Sequence, residues 1–354
     1  MSTRPYRVVQ WATGALGRAV IRGVLERPDL ELAGALVYDP AKVGMDAGTL
    51  AGRPATGIGA TADPQEILDL DADCVVYAPG PDGDPFSGIE TVCALLASGK
   101  NVIATHGYVY PRAHGPHMVA ELEDACKRGG TSVHGTGVSP GFMSDLMPLT
   151  LTRLTRGINH VYVRECSDFS GHPSRRMVHQ MLGFGKSEEA FLRAMRTTRG
   201  AMRTLASESL HLVAAGLGLE LDEIDTDMDH RLAPADFTIA AGPVARGTVA
   251  ASRWTFSAMA GGRPVITIEQ IHKADAARIA EWGAPGYSIR VDGRPSIALS
   301  TDEDWVSNAI SAAAAHALNA VPIVCAAEPG IRTFLDLPPI FGRLSARHAP
   351  GGAG

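Results

Sequence analysis

The chain has 354 residues, 45% of them hydrophobic and 20% charged, with a formal net charge of −6. That balance supports full globular cores without disulfide or metal staples, and the mild acidity argues against a general affinity for nucleic acid or anionic membranes. The five cysteines, Cys74, Cys93, Cys126, Cys166 and Cys325, show no CxxC or Cys/His ligand spacing. No metal site is therefore expected, and thiols scattered singly suit a reducing, cytoplasmic setting.

In chain order, residues 6–11 (YRVVQW) predict a buried strand, followed by a glycine turn and a helix over 16–25 with apolar positions at helical spacing. Residues 31–38 (ELAGALVY) predict a second strand, completing one βαβ unit. The alternation continues with a helix over 64–70, a strand over 73–78, a helix over 86–98 and a strand over 101–105. A helix over 116–127 and a strand over 131–135 follow. Short apolar strands alternating with helices imply a parallel sheet covered on both faces.

Beyond Gly141 the pattern changes. A helix is predicted over 142–154, a longer strand over 159–167, and helix over 187–216 as two pieces meeting near Gly200. Residues 245–260 and 264–273, joined by Gly261-Gly262-Arg263, predict an antiparallel hairpin, and 287–291 with 296–300 a second. A last helix is predicted over 304–320, capped by Thr301 or Asp302. The apolar stretch 309–324 is interrupted by His316, Asn319 and Pro322, so it predicts no membrane span. Residues 349–354 predict a disordered tail.

The expected fold class is α/β. A Rossmann domain with a doubly wound parallel sheet occupies 1–145, and an α+β domain with a mainly antiparallel sheet occupies 146–303. A C-terminal helix and segment over 304–342 packs back on the Rossmann domain.

The residues that carry chemistry begin with Ala12-Thr13-Gly14-Ala15-Leu16-Gly17, a GxGxxG pattern with alanine at its first position. Gly14 would let the backbone approach a pyrophosphate, Gly17 would let helix and strand pack closely, and the phosphates would sit on free helix N–H groups. Thr13, Gly14, Ala15, Leu16 and Gly17 are therefore cofactor candidates. Asp39, 25 residues after Gly14, stands where an acidic residue grips a ribose 2′-hydroxyl and repels a 2′-phosphate. NAD is favoured on that ground, with Arg18 and Lys42 near enough in sequence to serve NADP; otherwise Asp39-Pro40 only starts a turn. Ala78, Pro79, Thr105, Gly137 and Ser139 complete the cofactor set, since each follows a parallel strand at its carboxyl end. His106 and Tyr108 are the catalytic candidates, His106 because imidazole titrates near neutrality. Tyr110, Phe142, Met143, Arg176 and His179 are substrate candidates, and the adjacent Arg175-Arg176 could clamp an anion.

Several of these stretches resemble one family. Residues 17–32, residues 37–48 (VYDPAKVGMDAG), Gly135-Thr-Gly-Val-Ser-Pro-Gly-Phe-Met-Ser-Asp145 and the Arg175-Arg176 stretch look like the 2,4-diaminopentanoate dehydrogenase-like group. That group includes native amine dehydrogenases and is distantly similar to dihydrodipicolinate reductase. The resemblance spans most of the chain, to about Leu337. It implies NAD(P)H-dependent reduction of an imine to an amine, acting on a small carbonyl or amine substrate, in a homodimer joined through the second domain. One departure matters: amine-forming members carry a glutamate after the fourth strand, whereas Thr105-His106-Gly107-Tyr108-Val109-Tyr110-Pro111 holds no carboxylate. A cationic iminium in a dry site needs an anionic or strongly accepting partner. Ammonia-independent carbonyl reduction, or a cofactor sensor without turnover, therefore stand as alternatives.

Overall fold

The computed structural model describes residues 4–80 and 86–343. Pro81 and the tail over 349–354 lie outside the described residues. The chain divides into two units, Met1–Gly141 with Ile310–Gly354, and Phe142–Ala309.

The first unit opens with β1 (Tyr6–Trp11), α1 (Ala15–Leu25), β2 (Leu30–Leu36), α2 (Ala47–Leu50), α3 (Pro64–Asp69) and β3 (Cys74–Tyr77). It continues with α4 (Ile89–Ala97), β4 (Asn101–Ala104), α5 (Pro116–Gly129) and β5 (Ser132–Gly135). All neighbouring strands pair in parallel. Because β1 lies between β2 and β3, the chain crosses over to one side and then to the other, and ligands bind at the carboxyl ends of strands at such a reversal. Successive residues along each strand enter opposite cores. Val8, Val76 and Ile103 pack with Val20, Ile21 and Val24 of α1, whereas Val9, Val75 and Val102 pack with Leu95 and Leu96 of α4 and Leu122 of α5. The apolar runs of the strands follow from this two-sided burial.

The second unit comprises α6 (Leu146–Thr152), β6 (Arg156–Asp168), α7 (Glu188–Leu217), β7 (Glu223–Leu232), β8 (Phe237–Ile239) and β9 (Gly242–Val244). After these come β10 (Val249–Ala260), β11 (Arg263–Lys273), β12 (Gly286–Arg294), β13 (Ile297–Ser300) and α8 (Glu303–Ser307). Its main sheet runs β13-β12-β6-β11-β10-β7. Every pair is antiparallel except β11 with β6. The first unit regains the chain with α9 (Ala309–Cys325) and β14 (Gly330–Ile331), which adds to β5 as a parallel edge strand. Ala314, Ala317, Leu318, Val321 and Val324 of α9 join the core on the α1 side.

Three expectations need correction, and one strand was not expected. The helix expected over 142–154 is confined to Leu146–Thr152, with turns before it. Helix α7 runs unbroken through Gly200, where an added Cβ would meet nothing within 4 Å; a single helical glycine costs about 1 kcal/mol and does not break a helix of this length. The last helix is two, α8 and α9, separated at Asn308, with Pro322 accommodated inside α9. Strand β7 had no apolar alternation to reveal it. Its sequence EIDTDMDHRL is drawn into the sheet by pairing along β10. Among the described residues, no helix is long and apolar enough to cross a membrane.

Candidate active site

Backbone hydrogen bonds continue past the strand ends of the parallel sheet and align its loops. Ala12 N–H donates to Leu36, Ala78 to Trp11, Thr105 to Tyr77 and Thr136 to Ala104, over 2.8 to 3.1 Å. The first residues of the loops after β1, β3, β4 and β5 thus lie in register along one edge. The sequence candidates Ala78, Thr105 and Gly137 fall on that row or beside it.

The turn after β1 has the form of a phosphate cradle. Gly14 caps α1 with extended backbone and no side-chain hydrogen bond, so the first amides of α1 receive no side-chain cap. Gly14 and Ala15 are exposed, and a Cβ added to Gly14 would meet nothing within 4 Å. This open space and the uncapped helix end fit a dinucleotide pyrophosphate. Gly17 has a different task. A Cβ there would come within 2.0 Å of the Ala12 carbonyl oxygen, so Gly17 permits contact between helix and turn. Leu16 is partly buried against the α1-side core, so its side chain serves packing. Thr13 is 4% exposed.

Ala12, at the first position of the pattern, has φ 72°, a left-handed conformation that costs an alanine about 1 kcal/mol. Gln10, wholly buried on β1, holds this turn: its Nε2 donates to the carbonyls of Trp11 and Ala12 at 2.9 and 2.8 Å. Gln10 was not among the sequence candidates, although a polar residue in the run YRVVQW was a visible signal.

Asp39 is exposed, and one carboxylate oxygen accepts from Ala41 N–H at 3.0 Å, capping the short helical turn Pro40–Lys42. The turn-starting role is therefore real. Beside it, exposed Tyr38 accepts a hydrogen bond from the Trp11 indole at 2.8 Å, and Trp11 leans against Tyr77, with ring centres 5.9 Å apart. Pro79 is half-buried.

After β4, His106 is half-buried. Tyr108 is 2% exposed, has φ 64°, and its ring meets Phe86 edge to face at 5.1 Å within the α4/α5-side core. Tyr110 is half-buried. After β5, the loop Thr136–Gly141 folds tightly on itself. A Cβ on Gly137 would come within 2.5 Å of the Pro140 oxygen, and one on Gly141 within 2.2 Å of Gly137 N. The half-buried Ser139 forms a cis peptide with Pro140. The loop is tied to α9 by His316, whose Nδ1 lies 2.9 Å from Thr136 Oγ1 and 3.0 Å from the Gly137 oxygen. Phe334 stacks on His316 and meets His134 edge to face. His134 is fully buried against the Arg332 oxygen at 2.7 Å, and burial pushes its pKa down to about 4. Burial lowers His316 as well. No local pattern linked His316 to Thr136, 180 residues away.

In the second unit, Met143 is wholly buried, Phe142 is half-buried and Arg176 is exposed. Arg176 opens a π-helical turn, Arg176–Met181. Each ring nitrogen of His179 faces a backbone carbonyl, Phe184 at 2.9 Å and Ala241 at 3.2 Å. His179 thus ties this segment to two backbone carbonyls. The polar hairpin residues do not share one face. Thr255, Ser257 and Thr267 lie together, while Ser252 points to the side of Trp254 and Phe256. On that second side, Glu165, Ser167, Gln270, His272 and Tyr287 are cross-strand neighbours. Among the described residues, no group of three or more His, Cys, Asp or Glu could hold a metal ion.

The doubly wound sheet and its glycine turn define a dinucleotide-binding domain, and the similarity to known proteins makes the chain an NAD(P)-dependent dehydrogenase. Residues 142–346 match the 2,4-diaminopentanoate dehydrogenase C-terminal domain, and residues 8–107 match the N-terminus of dihydrodipicolinate reductase. An amine dehydrogenase of Streptomyces virginiae is 28% identical over 96% of this chain and 99% of that protein. The 2,4-diaminopentanoate dehydrogenase of Acetoanaerobium sticklandii is 26% identical over 67% of this chain and 66% of that one. The structure of an amine dehydrogenase from Mycobacterium smegmatis superposes with a TM-score of 0.80 at 24% identity, covering 96% of this chain and 97% of the other, and shows the shared fold. The chain belongs to the 2,4-diaminopentanoate dehydrogenase family.

Proposed function

We propose that the protein interconverts a primary amine and its imine, and with ammonia carries out the reductive amination of a small ketone or aldehyde. The observation that carries this reading is the family match across the second unit, together with likeness to an amine dehydrogenase along nearly the whole of both chains. When bound, the nicotinamide supplies or takes the hydride.

The uncapped first turn of α1 would hold the pyrophosphate, with Gly14 admitting it and Gly17 keeping the helix close to the turn. Asp39 would bind the ribose through the carboxylate oxygen not used by Ala41, giving a preference for NAD(H). His316 would hold the Thr136–Gly141 loop in place through its contacts with Thr136 and Gly137. In imine formation, water leaves a carbinolamine and needs a proton; His106, at the loop after β4, is the group assigned to it. Tyr108 is the weaker candidate, since its ring lies in the core.

A second reading is ammonia-independent carbonyl reduction, favoured by a β4 loop with no carboxylate over 105–111. Oxidation of NADH and NADPH followed with a panel of ketones and aldehydes, with and without ammonium chloride, separates the two. Turnover that requires ammonium supports the amine reading. Equal turnover without it supports the second, and cofactor binding with no turnover on either panel points to a sensor.

A further inference from the structure

The carboxyl ends of three neighbouring strands of the first unit carry an aromatic cluster. Trp11 ends β1, Tyr77 ends β3, and Tyr38 lies two residues past the end of β2, with β1 running between the other two strands. Trp11 and Tyr77 are buried, their ring centres 5.9 Å apart. Tyr38 is 63% exposed.

A single exposed aromatic is ordinary on a protein surface, but this one is tethered. The buried Trp11 indole donates to the Tyr38 hydroxyl at 2.8 Å. Burial, and after it the neighbouring Tyr38 phenol, raises the pKa of Tyr77, so the Tyr38 hydroxyl also stands beside Tyr77. Tyr77 is itself closely fitted, since a Cβ added to Gly88 at the start of α4 would come within 2.0 Å of its hydroxyl. The polar end of Tyr38 is thus anchored at the sheet edge while its ring stays open to water. Apolar exposure continues along the segment that follows, where Val43 and Met45 are exposed before α2 begins. Asp39 directly follows Tyr38, and Trp11 leads directly into the Ala12–Gly17 turn. The open ring therefore lies next in sequence to the ribose-binding candidate, and its tether leads into the phosphate cradle.

A ring held in this way suits a flat heterocycle. Stacking uses the π-face that every base presents, and a ring already fixed in place loses little freedom on binding. The acidic residue at the end of the second strand binds the ribose whose 2′ position distinguishes NAD from NADP, and the base on that ribose is adenine. We propose that Tyr38 is the stacking platform for the adenine of the dinucleotide, and that Trp11 positions its ring. This rests on the cradle at Gly14 given above and is independent of the amine chemistry.

The test is calorimetric titration of the full chain with ADP-ribose, which carries the adenine half of the cofactor without its nicotinamide. Tyr38→Ala and Tyr38→Leu should each weaken ADP-ribose binding by about tenfold. NADH and NADPH should weaken by the same factor, because both carry the base, whereas Asp39→Ser should change their ratio. Tyr38→Phe keeps the ring and Trp11→Phe removes only the tether, so each should weaken binding by about threefold or less. With 1,N6-etheno-ADP-ribose, emission of the bound base should be quenched in wild type and in Tyr38→Phe and recover in Tyr38→Leu. Wild-type ADP-ribose affinity in folded Tyr38→Ala and Tyr38→Leu overturns the platform, as does a loss in Tyr38→Phe equal to that in Tyr38→Ala. If neither Tyr38→Ala nor Tyr38→Leu folds, unquenched emission of the bound etheno base in wild type overturns it. Loss of ADP-ribose binding in Gly14→Val beside unchanged Tyr38 variants overturns the platform and leaves the cradle standing. Failure of the wild type to bind either ADP-ribose or NADH overturns both.

Discussion

The two glycines of the β1–α1 turn should respond oppositely to the same substitution. In Gly17→Ala the new methyl would start 2.0 Å from the Ala12 oxygen and 2.9 Å from Gln10 Nε2, where ordinary contact begins near 3.4 Å. The helix must therefore retreat by roughly 1.4 Å, or the turn must open and lose the Gln10 hydrogen bonds that hold it. Overpacking of this kind costs about 1–3 kcal/mol, and a broken buried hydrogen bond adds about 1 kcal/mol. The sum, about 2–4 kcal/mol, should lower the thermal midpoint by roughly 5 °C or more. Gly14→Ala meets nothing within 4 Å and needs no unusual backbone, with φ −68°. Its poorer capping is offset by a gain of about 0.4–1 kcal/mol from a stiffer unfolded chain, so stability should stay within about 1 kcal/mol of wild type. The methyl does, however, stand where the pyrophosphate approaches. Fluorescence titration with NADH should show affinity reduced by about tenfold or more in Gly14→Ala, and more in Gly14→Val. Unchanged NADH affinity in both Gly14 variants would refute the cradle.

Asp39→Ser should relax the cofactor preference toward NADP(H); a wild type that binds NADPH about tenfold tighter than NADH contradicts the role given to Asp39. The buried His134 makes stability depend on pH. Its folded pKa of about 4 lies below the 6.5 of a free imidazole, so the unfolded chain takes up a proton first as pH falls. Stability is full above about 6.5 and declines from there toward 4. In urea titrations His134→Asn should lose less stability than wild type between pH 7 and 4.5, and parallel curves would exclude this linkage. The half-buried Thr255 and Ser257 and their neighbours on the outer sheet face suit a two-fold interface. Light scattering should give twice the chain mass of 37.2 kDa, and a particle of 37.2 kDa at micromolar concentration is the opposing result.

The fold was legible where one sequence pattern had one structural solution. YRVVQW followed by a glycine turn could become only strand, turn and helix, and Gly261-Gly262 between two alternating runs could become only a hairpin. Elements that depend on partners remote in sequence were not legible. Strand β7 exists because β10 offers it an edge, and β14 is two residues whose strand character comes from β5. The site divides along the same line. Gly14, Gly17 and the strand-end loops follow from local rules, while the ties of Gln10 to Ala12, of His316 to Thr136, and of His179 to two carbonyls need the tertiary structure. Tyr108 was legible as a loop residue, but its place in the core is set by Phe86.

Hydride transfer to a carbon that bears nitrogen is the step on which the proposed function turns. It is tested most directly with NADH carrying deuterium at the transferable C4 position, incubated with the protein, ammonium chloride and a ketone it turns over, and the amine product analysed by mass spectrometry. Such transfer leaves one deuterium on the carbon attached to nitrogen in every product molecule. An alcohol product with deuterium on its carbinol carbon, formed equally without ammonium, would contradict it.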